Sequence, residues 1–315
     1  MKSLTRAEAA GFLLSHDNFC ILTHRRPDGD AIGSAAALCL GLRQLGKRAW
    51  VLENTDATDR FAFLLEGLTK ADAGETDTIV AVDVASPGML PKCFEIYKDR
   101  VALRIDHHGS ATSFTPEELV DANSASCAEL VCDVITLLGI QLDKQIAEAV
   151  YVGASTDTGC FRFANTTAHT FLVASICAQA GAEIYKLNQM LFETNSLAKL
   201  RMQAWIVDNL RLFGDGKFAI VAIPRAVEEA LRVTDDDMDN ISSYPRTVAG
   251  VCMAATLRQT KDGETKISLR AVPGYDAAAV CAIFGGGGHK GAAGASTHLG
   301  LEEAAKRLEE EMMMQ

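Results

Sequence analysis

The chain has 315 residues, of which 48% are hydrophobic and 23% are charged. That length allows two domains, and the composition is typical of a soluble globular protein. The formal net charge of −11 argues against a protein that coats long nucleic acid, which needs a basic track, but it is compatible with short nucleotides held at a few cationic points.

The sequence contains no signal for a membrane or for secretion. No unbroken apolar run reaches the roughly 18 residues that a membrane span needs. The first eight residues have no apolar core or cleavage site, so we expect no secretion signal. The nine cysteines include no CxxC pair, which indicates buried thiols in a reducing cytosol. We therefore expect a cytoplasmic protein.

Predicted strands and helices alternate through the first half of the chain, after an amphipathic helix over residues 5–16. Continuous apolar runs, which are typical of buried parallel strands, end at His24, Glu53, Asp83 and Asp106. Helices are expected over residues 31–45, 61–65, 124–138 and 143–156. This alternation predicts an α/β fold with a parallel sheet and helices on both of its faces.

The second half divides at a predicted connecting helix. Residues 166–210 are helical in pattern, and residues 196–210 form the connector. Beyond it we expect a hairpin, further strands and two helices, over residues 212–218, 248–258, 266–271, 276–284 and 301–313. The sequence therefore predicts a first domain over residues 1–195, the connecting helix, and a smaller α/β domain over residues 211–315.

One stretch, His24–Gly33, lies where the first buried strand turns into a helix. In an open α/β sheet such turns lie at the carboxyl ends of the strands, where ligands bind. Pro27 and Gly29 fix the bend, so that Asp28 and Asp30 can direct oxygens at a common centre. With His24, these residues predict half of a metal site.

Three more groups of acidic or histidine residues follow predicted strands and a helix. Taken alone, Asp83 would be a strand-end cap and His107-His108 a surface pair. Parallel strands would bring all the groups to one edge of the sheet, and burying carboxylates without a counter-charge is costly. These groups are Asp83, then Asp106-His107-His108, and finally Asp157.

Such a mixed set of oxygen and nitrogen ligands suits a pair of divalent ions. The carboxylates of Asp28, Asp30, Asp83 and Asp157 would balance the charge of two ions. Imidazole ligands favour Mn²⁺ over Mg²⁺, and Mg²⁺, Zn²⁺ and Co²⁺ stay open as alternatives. Two neighbouring divalent ions can activate water and stabilise a displacement at phosphorus.

A second set of residues lies near the C-terminus. Four consecutive glycines, Gly285–Gly288, would let backbone N–H groups approach an anion, and His289 and Lys290 would add side-chain donors. Arg270 ends a predicted strand shortly before them. The alternative is a flexible loop with an exposed arginine beside it.

These motifs resemble, in order, the metal motifs of the DHH phosphoesterases, a family named after the triplet Asp106-His107-His108. The segment Phe284–His289 resembles the signature of the DHH-associated C-terminal domain. The segments Phe161–Thr167 and Ser268–Arg270 resemble the branch of bifunctional oligoribonucleases and PAP phosphatases, the NrnA-like proteins. The resemblance covers nearly the whole chain. The chain departs from the family pattern at Ala271, where relatives often carry serine after the arginine. This difference concerns the choice among related substrates and not catalysis.

The resemblance implies a role for each residue. One ion would be held by His24, Asp28 and Asp83, and the other by Asp30, Asp83, His107 and Asp157. Asp106 would orient its neighbours, and His108 would face the substrate phosphate and assist the leaving group or stabilise charge. The distal phosphate or nucleotide would be bound by Arg270, Gly286, Gly287, Gly288 and His289.

The activity implied is a two-metal phosphoesterase that degrades very short oligoribonucleotides or linear dinucleotides to mononucleotides. Removal of the 3′-phosphate from 3′-phosphoadenosine 5′-phosphate (PAP) is a second expected activity. The resemblance also implies an active-site cleft between the two domains. A homodimer is kept as an alternative to a monomer. The alternatives are a cyclic-dinucleotide phosphodiesterase, or a nucleotide-binding sensor without activity, which would not need a complete set of metal ligands.

Overall fold

The computed structural model describes residues 2–109, 111–238 and 241–315. Contacts within the chain divide it into two compact units, residues 1–194 and residues 195–315. None of the described helices is both long enough and apolar enough to cross a membrane.

The first unit contains a seven-stranded sheet. Its strands are β1 (Lys2–Ser3), β2 (Phe19–Leu22), β3 (Ala49–Leu52), β4 (Thr69–Lys70), β5 (Thr78–Val82), β6 (Val101–Asp106) and β7 (Glu117–Val120). They lie in the order β1-β7-β6-β5-β2-β3-β4, and every neighbouring pair is parallel. The carboxyl ends of β2, β5 and β6, which precede the predicted site residues, therefore lie side by side.

The described residues of this unit form six α-helices, and polar side chains cap several of them. The N-terminal caps include Thr5, Asp28, Ser126 and Asp143, whose side chains accept backbone N–H bonds. The α-helices are α1 (Arg6–Ser15), α2 (Gly29–Gln44), α3 (Cys127–Leu137), α4 (Lys144–Asp157), α5 (Ala168–Gln179) and α6 (Ile184–Asn188). Short 3₁₀ segments cover Asp59–Leu64, Pro87–Met89 and Lys92–Arg100, and a π-turn covers Gln189–Glu193.

The two faces of this sheet are covered differently. Side chains from the α-helices form one large apolar cluster with the face that carries Ile21, Val80 and Leu103. The opposite face packs on Phe94 and Tyr97 of the Lys92–Arg100 segment. Helical segments therefore cover both faces as expected, but on this face the covering element is the 3₁₀ segment Lys92–Arg100 and not an α-helix.

The second unit contains a mixed six-stranded sheet. Its elements are α7 (Leu197–Asn209), β8 (Arg211–Phe213), β9 (Phe218–Ile223), α8 (Arg225–Leu231), β10 (Met253–Gln259), β11 (Thr265–Ala271), α9 (Ala277–Ala282), β12 (Gly287–His289), β13 (Ala292–Thr297) and α10 (Leu301–Met312). Two 3₁₀ turns, Ile241–Ser243 and Pro245–Thr247, precede β10. The strand order is β12-β13-β11-β10-β9-β8, with only β9 and β10 parallel among these described neighbours.

The structure confirms the predicted α/β class, with a parallel sheet followed by a smaller α/β unit. Two details differ. Strand β10 begins at Met253 and not at residue 248, because the 3₁₀ turn and a bend occupy the preceding residues. The glycine run is no free loop, since Gly287–His289 pairs with β13 as an edge strand.

Candidate functional site

The turn from β2 into α2 positions three of the predicted ligands. Asp28 caps α2, and its Oδ1 accepts the backbone N–H groups of Asp30 and Ala31 at 3.0 and 3.1 Å. His24 Nδ1 lies 2.7 Å from the carbonyl oxygen of Arg25. Because a carbonyl only accepts hydrogen bonds, this contact places the proton on Nδ1 and leaves Nε2 to face the carboxylates.

Asp30 is fixed at the N-terminus of α3. Its Oδ2 accepts the backbone N–H of Cys127 at 2.7 Å, and its Oδ1 accepts that of Ala128 at 2.9 Å. Gly153 of α4 allows this approach, because a Cβ there would lie 2.9 Å from Asp30 Oδ1 and 2.5 Å from the Ala128 Cβ. The glycine therefore lets α4 pass close enough to bring Asp157, at its end, to the same place.

Asp83 follows β5 and is almost fully buried. Its backbone has φ 58°, a left-handed conformation that few residues other than glycine adopt. The two carboxylate oxygens face different imidazoles. Oδ2 lies 3.4 Å from His24 Nε2, and Oδ1 lies 3.6 Å from His107 Nε2.

His107 Nε2 faces three carboxylates at once. Besides Asp83, it lies 3.7 Å from Asp30 Oδ2 and 3.7 Å from Asp157 Oδ2. These separations are too long for hydrogen bonds. They are near the spacing of about 3–3.5 Å that separates two atoms bound to one metal ion.

The residues present fit divalent ions. Within the described part of the chain, Asp83 Oδ1 is buried and has no hydrogen-bond partner. Ligand atoms lie within 4.8 Å of one another in each of three groups; two of the groups share Asp83, and two share His107. These groups are His24/Asp28/Asp83, Asp30/His107/Asp157 and Asp83/His107/His108. The structure thus brings all six predicted metal ligands together, and His108 with them.

The pKa shifts of the site residues also favour a bound cation. Burial, followed by the charge of Asp30, raises the pKa of Asp83 well above its usual range. Burial and the charges of Asp30 and Asp28 raise the pKa of Asp157 to about 8. Burial lowers the pKa of His24, but its contacts with Asp28 and Asp83 outweigh this and raise it to about 11. A bound cation would replace these protons as the counter-charge.

Asp106 orients the two histidines that follow it. Its Oδ1 accepts the backbone N–H of His107 at 2.9 Å and lies 2.7 Å from His108 Nδ1. Asp106 is fully buried, whereas the His108 side chain keeps 31% of its surface exposed. The contact with Asp106 therefore leaves Nε2 of His108 free to meet a ligand.

Sequence reasoning missed a buried loop that holds His107. The carbonyl oxygen of Ser124 lies 3.3 Å from His107 Nδ1, on the side of the ring away from the carboxylates. Glu129 fixes that loop, since its Oε2 accepts Ser124 Oγ–H and the backbone N–H of Ala125, both at 3.1 Å. Because these contacts run through main-chain atoms, no residue spacing reveals them.

Asn165 extends this support to Asp157. Its side-chain nitrogen donates to the carbonyl oxygen of Ala125 at 3.0 Å and to that of Asp157 at 3.2 Å. One side chain therefore ties the loop beside His107 to the end of α4. The resemblance included Asn165 in a motif but assigned it no role.

Arg104 is another supporting residue that the sequence analysis did not identify. It lies on β6, two residues before Asp106, and only 1% of its surface is exposed. Its Nη2 lies 3.1 Å from Glu118 Oε2, and its Nη1 donates to the carbonyl oxygens of Ala85 and Thr112 at 3.1 Å. Nη1 also lies 3.7 Å from Asp106 Oδ2. Arg104 thus ties the loop after β5 to the strand that carries Asp106.

The second unit carries Arg270 and His289 on one face of its sheet. Arg270 pairs with Ala292, and Ala292 pairs with His289, so all three lie in one row across β11, β13 and β12. Directly paired residues in antiparallel strands point to the same face. In the next row, Ser268, Gly294 and Gly287 are paired in the same way. Arg270 and His289 therefore flank a floor of small residues.

The glycine run has a steric role that differs from the predicted cradle. A Cβ on Gly286 would collide with the carbonyl oxygen of Gly294, and one on Gly288 would lie 2.6 Å from that of Ala292. Gly288 also has φ 145°. These two glycines let β12 pack tightly against β13. Gly287 is exposed, and a Cβ there would meet no atom within 4 Å.

Comparisons with known proteins identify two family domains, one in each half of the chain. The family described as "DHH family, N-terminal domain" matches residues 18–154, and the DHHA1 domain matches residues 215–314. The bifunctional oligoribonuclease and PAP phosphatase NrnA of Thermus thermophilus is 33% identical over 294 residues, which are 91% of this chain and 87% of that protein.

Two solved structures have a similar fold. An exopolyphosphatase-related protein from Bacteroides fragilis superposes with a TM-score of 0.89 and 24% identity, over 98% of this chain and 95% of that one. RecJ from Thermus thermophilus, in complex with Mn²⁺, has a TM-score of 0.57 and 13% identity, over 98% of this chain and 54% of that one. These two structures share the fold, while the matched domains and the 33% identical NrnA relative show the family: the chain belongs to the DHH family, with a DHHA1 domain after its DHH domain.

Proposed function

We propose that the chain is a metal-dependent phosphoesterase that hydrolyses very short oligoribonucleotides to mononucleotides and removes the 3′-phosphate from PAP. One observation carries the proposal. The two carboxylate oxygens of buried Asp83 face two different imidazoles, and Asp28, Asp30 and Asp157 lie near the same imidazoles. The NrnA relative, whose name gives both activities, supports the choice of substrates.

We assign the ligands to two ions that share Asp83. His24, Asp28 and Asp83 would hold one ion, and Asp30, Asp83, His107 and Asp157 would hold the other. The four carboxylates then carry four negative charges against the four positive charges of two divalent ions. A mixed set of imidazole and carboxylate ligands favours Mn²⁺, with Mg²⁺ and Co²⁺ as further candidates. Divalent ions held there supply Lewis acidity to the phosphate group and to the attacking water.

Side chains of the protein would then position the substrate phosphate and stabilise the charge that develops on it. His108, oriented by Asp106, presents Nε2 to the substrate phosphate, where its imidazolium form donates a hydrogen bond to a phosphate oxygen or to the leaving group. Asp106 fixes the orientation of that ring, because its carboxylate lies 2.7 Å from Nδ1. The loop at Ser124 keeps His107 Nε2 directed at the carboxylates.

We assign binding of the non-reacting phosphate or nucleotide to the second unit. Arg270 supplies a guanidinium, which matches phosphate oxygens in pairs. His289 lies on the same face, and Gly287 leaves the backbone of the edge strand open to a ligand, while Gly286 and Gly288 hold that strand against β13.

An assay with three substrates tests the proposal. Purified protein with Mn²⁺ is given a 5′-labelled RNA dimer, an RNA of about 20 nucleotides and PAP. We expect rapid release of mononucleotides from the dimer, removal of the 3′-phosphate from PAP, and slow turnover of the long RNA. No hydrolysis of any of the three, with bound metal demonstrated, would exclude the enzyme and leave a nucleotide-binding sensor as the alternative.

A matched pair of variants separates the roles of the two units. Asp83→Asn should abolish turnover of the dimer. Arg270→Gln should weaken binding of the dimer but leave the affinity for Mn²⁺ unchanged. An Arg270→Gln variant with unaltered affinity for the dimer would contradict the assignment of the phosphate to this residue.

A further inference from the structure

A second arginine lies beside Arg270 in the second unit. Arg270 is paired across the sheet with Ala254 of β10, so both side chains point to the same face. Ala254 packs with Val248 in one small apolar cluster. Val248 follows the 3₁₀ turn Pro245–Thr247, which carries Arg246. This chain of contacts brings the turn that carries Arg246 close to the face on which Arg270 lies, and the charge of Arg246 acts on Arg270.

Neither guanidinium has an acidic partner in the part of the chain that the structure describes. Among the described residues, Arg246 and Arg270 form no ion pair, and Arg270 donates only to the carbonyl oxygen of its own neighbour, Leu269, at 2.9 Å. Both side chains are half-buried. Burial and then the charge of Arg246 lower the pKa of Arg270. Other arginines of this unit, such as Arg258 with Glu228, do have acidic partners.

Two half-buried guanidiniums at one place repel each other and have lost part of their hydration. An anion that contacts both would relieve this cost. Guanidiniums match the oxygens of phosphate, and two of them match two negative charges better than one. A phosphate monoester carries about 1.5–2 negative charges at pH 7, whereas a diester carries one.

We propose that Arg246 and Arg270 together form a site for a terminal phosphate monoester of the substrate, with Ser268 and His289 beside it on the same face. The inference rests on the proposed function and narrows its substrate class. PAP and a 5′-phosphorylated dinucleotide share one element, a nucleoside with a 5′-phosphate and a phosphoryl group on its 3′-oxygen. One site for the 5′-phosphate would serve both substrates.

Binding is measured without added metal, so that it is independent of turnover. The probes are an RNA dimer with a 5′-phosphate and the same dimer with a 5′-hydroxyl. The wild-type chain should bind the phosphorylated dimer about tenfold or more tightly, because a charge-assisted contact is gained. Arg246→Gln should reduce this ratio to a few-fold, and Arg246→Lys should retain part of it.

Lys266→Gln is the matched control. Lys266 is exposed and lies on the same strand as Arg270. Its replacement by glutamine removes one positive charge, as Arg246→Gln does. Lys266→Gln should leave the ratio unchanged. Thermal unfolding checks the fold, and Arg246→Gln should not lower the Tm, since the substitution removes a repulsion.

The outcomes separate this inference from the proposed function. Equal binding of the two dimers by the wild-type chain, or an unchanged ratio in Arg246→Gln, overturns the phosphate site even if the dimer is hydrolysed. Loss of hydrolysis with an intact binding ratio would instead contradict the proposed function. A ratio lost equally in Lys266→Gln would reduce the effect to general charge and overturn the site as well.

Discussion

Asp83 Oδ1 lies 3.6 Å from His107 Nε2 and 3.6 Å from His108 Nδ1, and it has no hydrogen-bond partner among the described residues. The other oxygen faces His24 at 3.4 Å. A buried carboxylate in this position is expensive unless a cation compensates for it. Asp83 is therefore the residue on which two ions would meet.

Asp83→Asn should change activity and stability in opposite directions. Turnover of the RNA dimer should fall by more than about 100-fold, because both proposed ions lose a ligand. The metal-free variant should unfold at a higher temperature than the wild type, since repulsion from Asp30 is removed. Asp99→Asn, at an exposed position, is the control and should change neither quantity. Near-normal turnover in Asp83→Asn would refute the shared ligand.

The stability of the metal-free protein should depend on pH. The pKa of Asp157 is raised to about 8, so the folded state holds this proton more tightly than the unfolded state and loses stability as the pH rises towards 8. His24, raised to about 11, acts in the same direction above about pH 6.5. Thermal unfolding should show a lower Tm at pH 8 than at pH 6.

Mn²⁺ should reverse this trend. Binding displaces protons from the ligands, so its affinity rises with pH and its stabilising effect should be several degrees larger at pH 8 than at pH 6. Asp157→Asn should reduce the pH dependence of both measurements. An Mn²⁺ effect that is equal at the two pH values would argue against a site made of these residues.

Asn165→Ala should weaken metal binding without unfolding the protein. The substitution removes the hydrogen bonds to the carbonyl oxygens of Ala125 and Asp157 and loosens the end of α4. Loss of such a supporting contact costs about 10–100-fold in metal affinity. Calorimetric titration with Mn²⁺ measures it. Asn123→Ala, which removes an exposed hydrogen bond to Asp121, should keep the wild-type affinity.

Arg104→Met should be strongly destabilising. It leaves Glu118 without its cationic partner, a change that typically costs about 3–5 kcal/mol in the free energy of unfolding. Urea denaturation measures the loss. Arg48→Met, which breaks an exposed pair with Asp17, should leave the urea midpoint nearly unchanged. A loss below 1 kcal/mol for Arg104→Met would show that the buried pair does not hold the loop after β5.

Some features of the fold could be predicted from the sequence because they depend on the local pattern of apolar residues. The buried strands before His24 and Asp83 were predictable from continuous apolar runs, and the parallel order then put their ends at one edge. β1 and β4 were not, because a two-residue strand has no period to detect. β13 was hidden by its small residues, Ala292–Thr297, which resemble a loop in composition.

The supporting residues were harder to predict than the residues that point into the centre. Glu129 acts on Ser124 and Ala125 through hydrogen bonds within one buried loop, and Arg104 acts largely through main-chain carbonyls. Their side-chain types alone suggest an ordinary helix residue and an ordinary strand residue. Only the folded arrangement of their partners distinguishes them.

Anomalous diffraction from crystals grown with Mn²⁺ tests the central claim most directly. The account predicts two peaks, one beside His24 and Asp28 and one beside Asp30, His107 and Asp157, with a carboxylate oxygen of Asp83 bound to each. A single peak, or two peaks of which one does not contact Asp83, would contradict it.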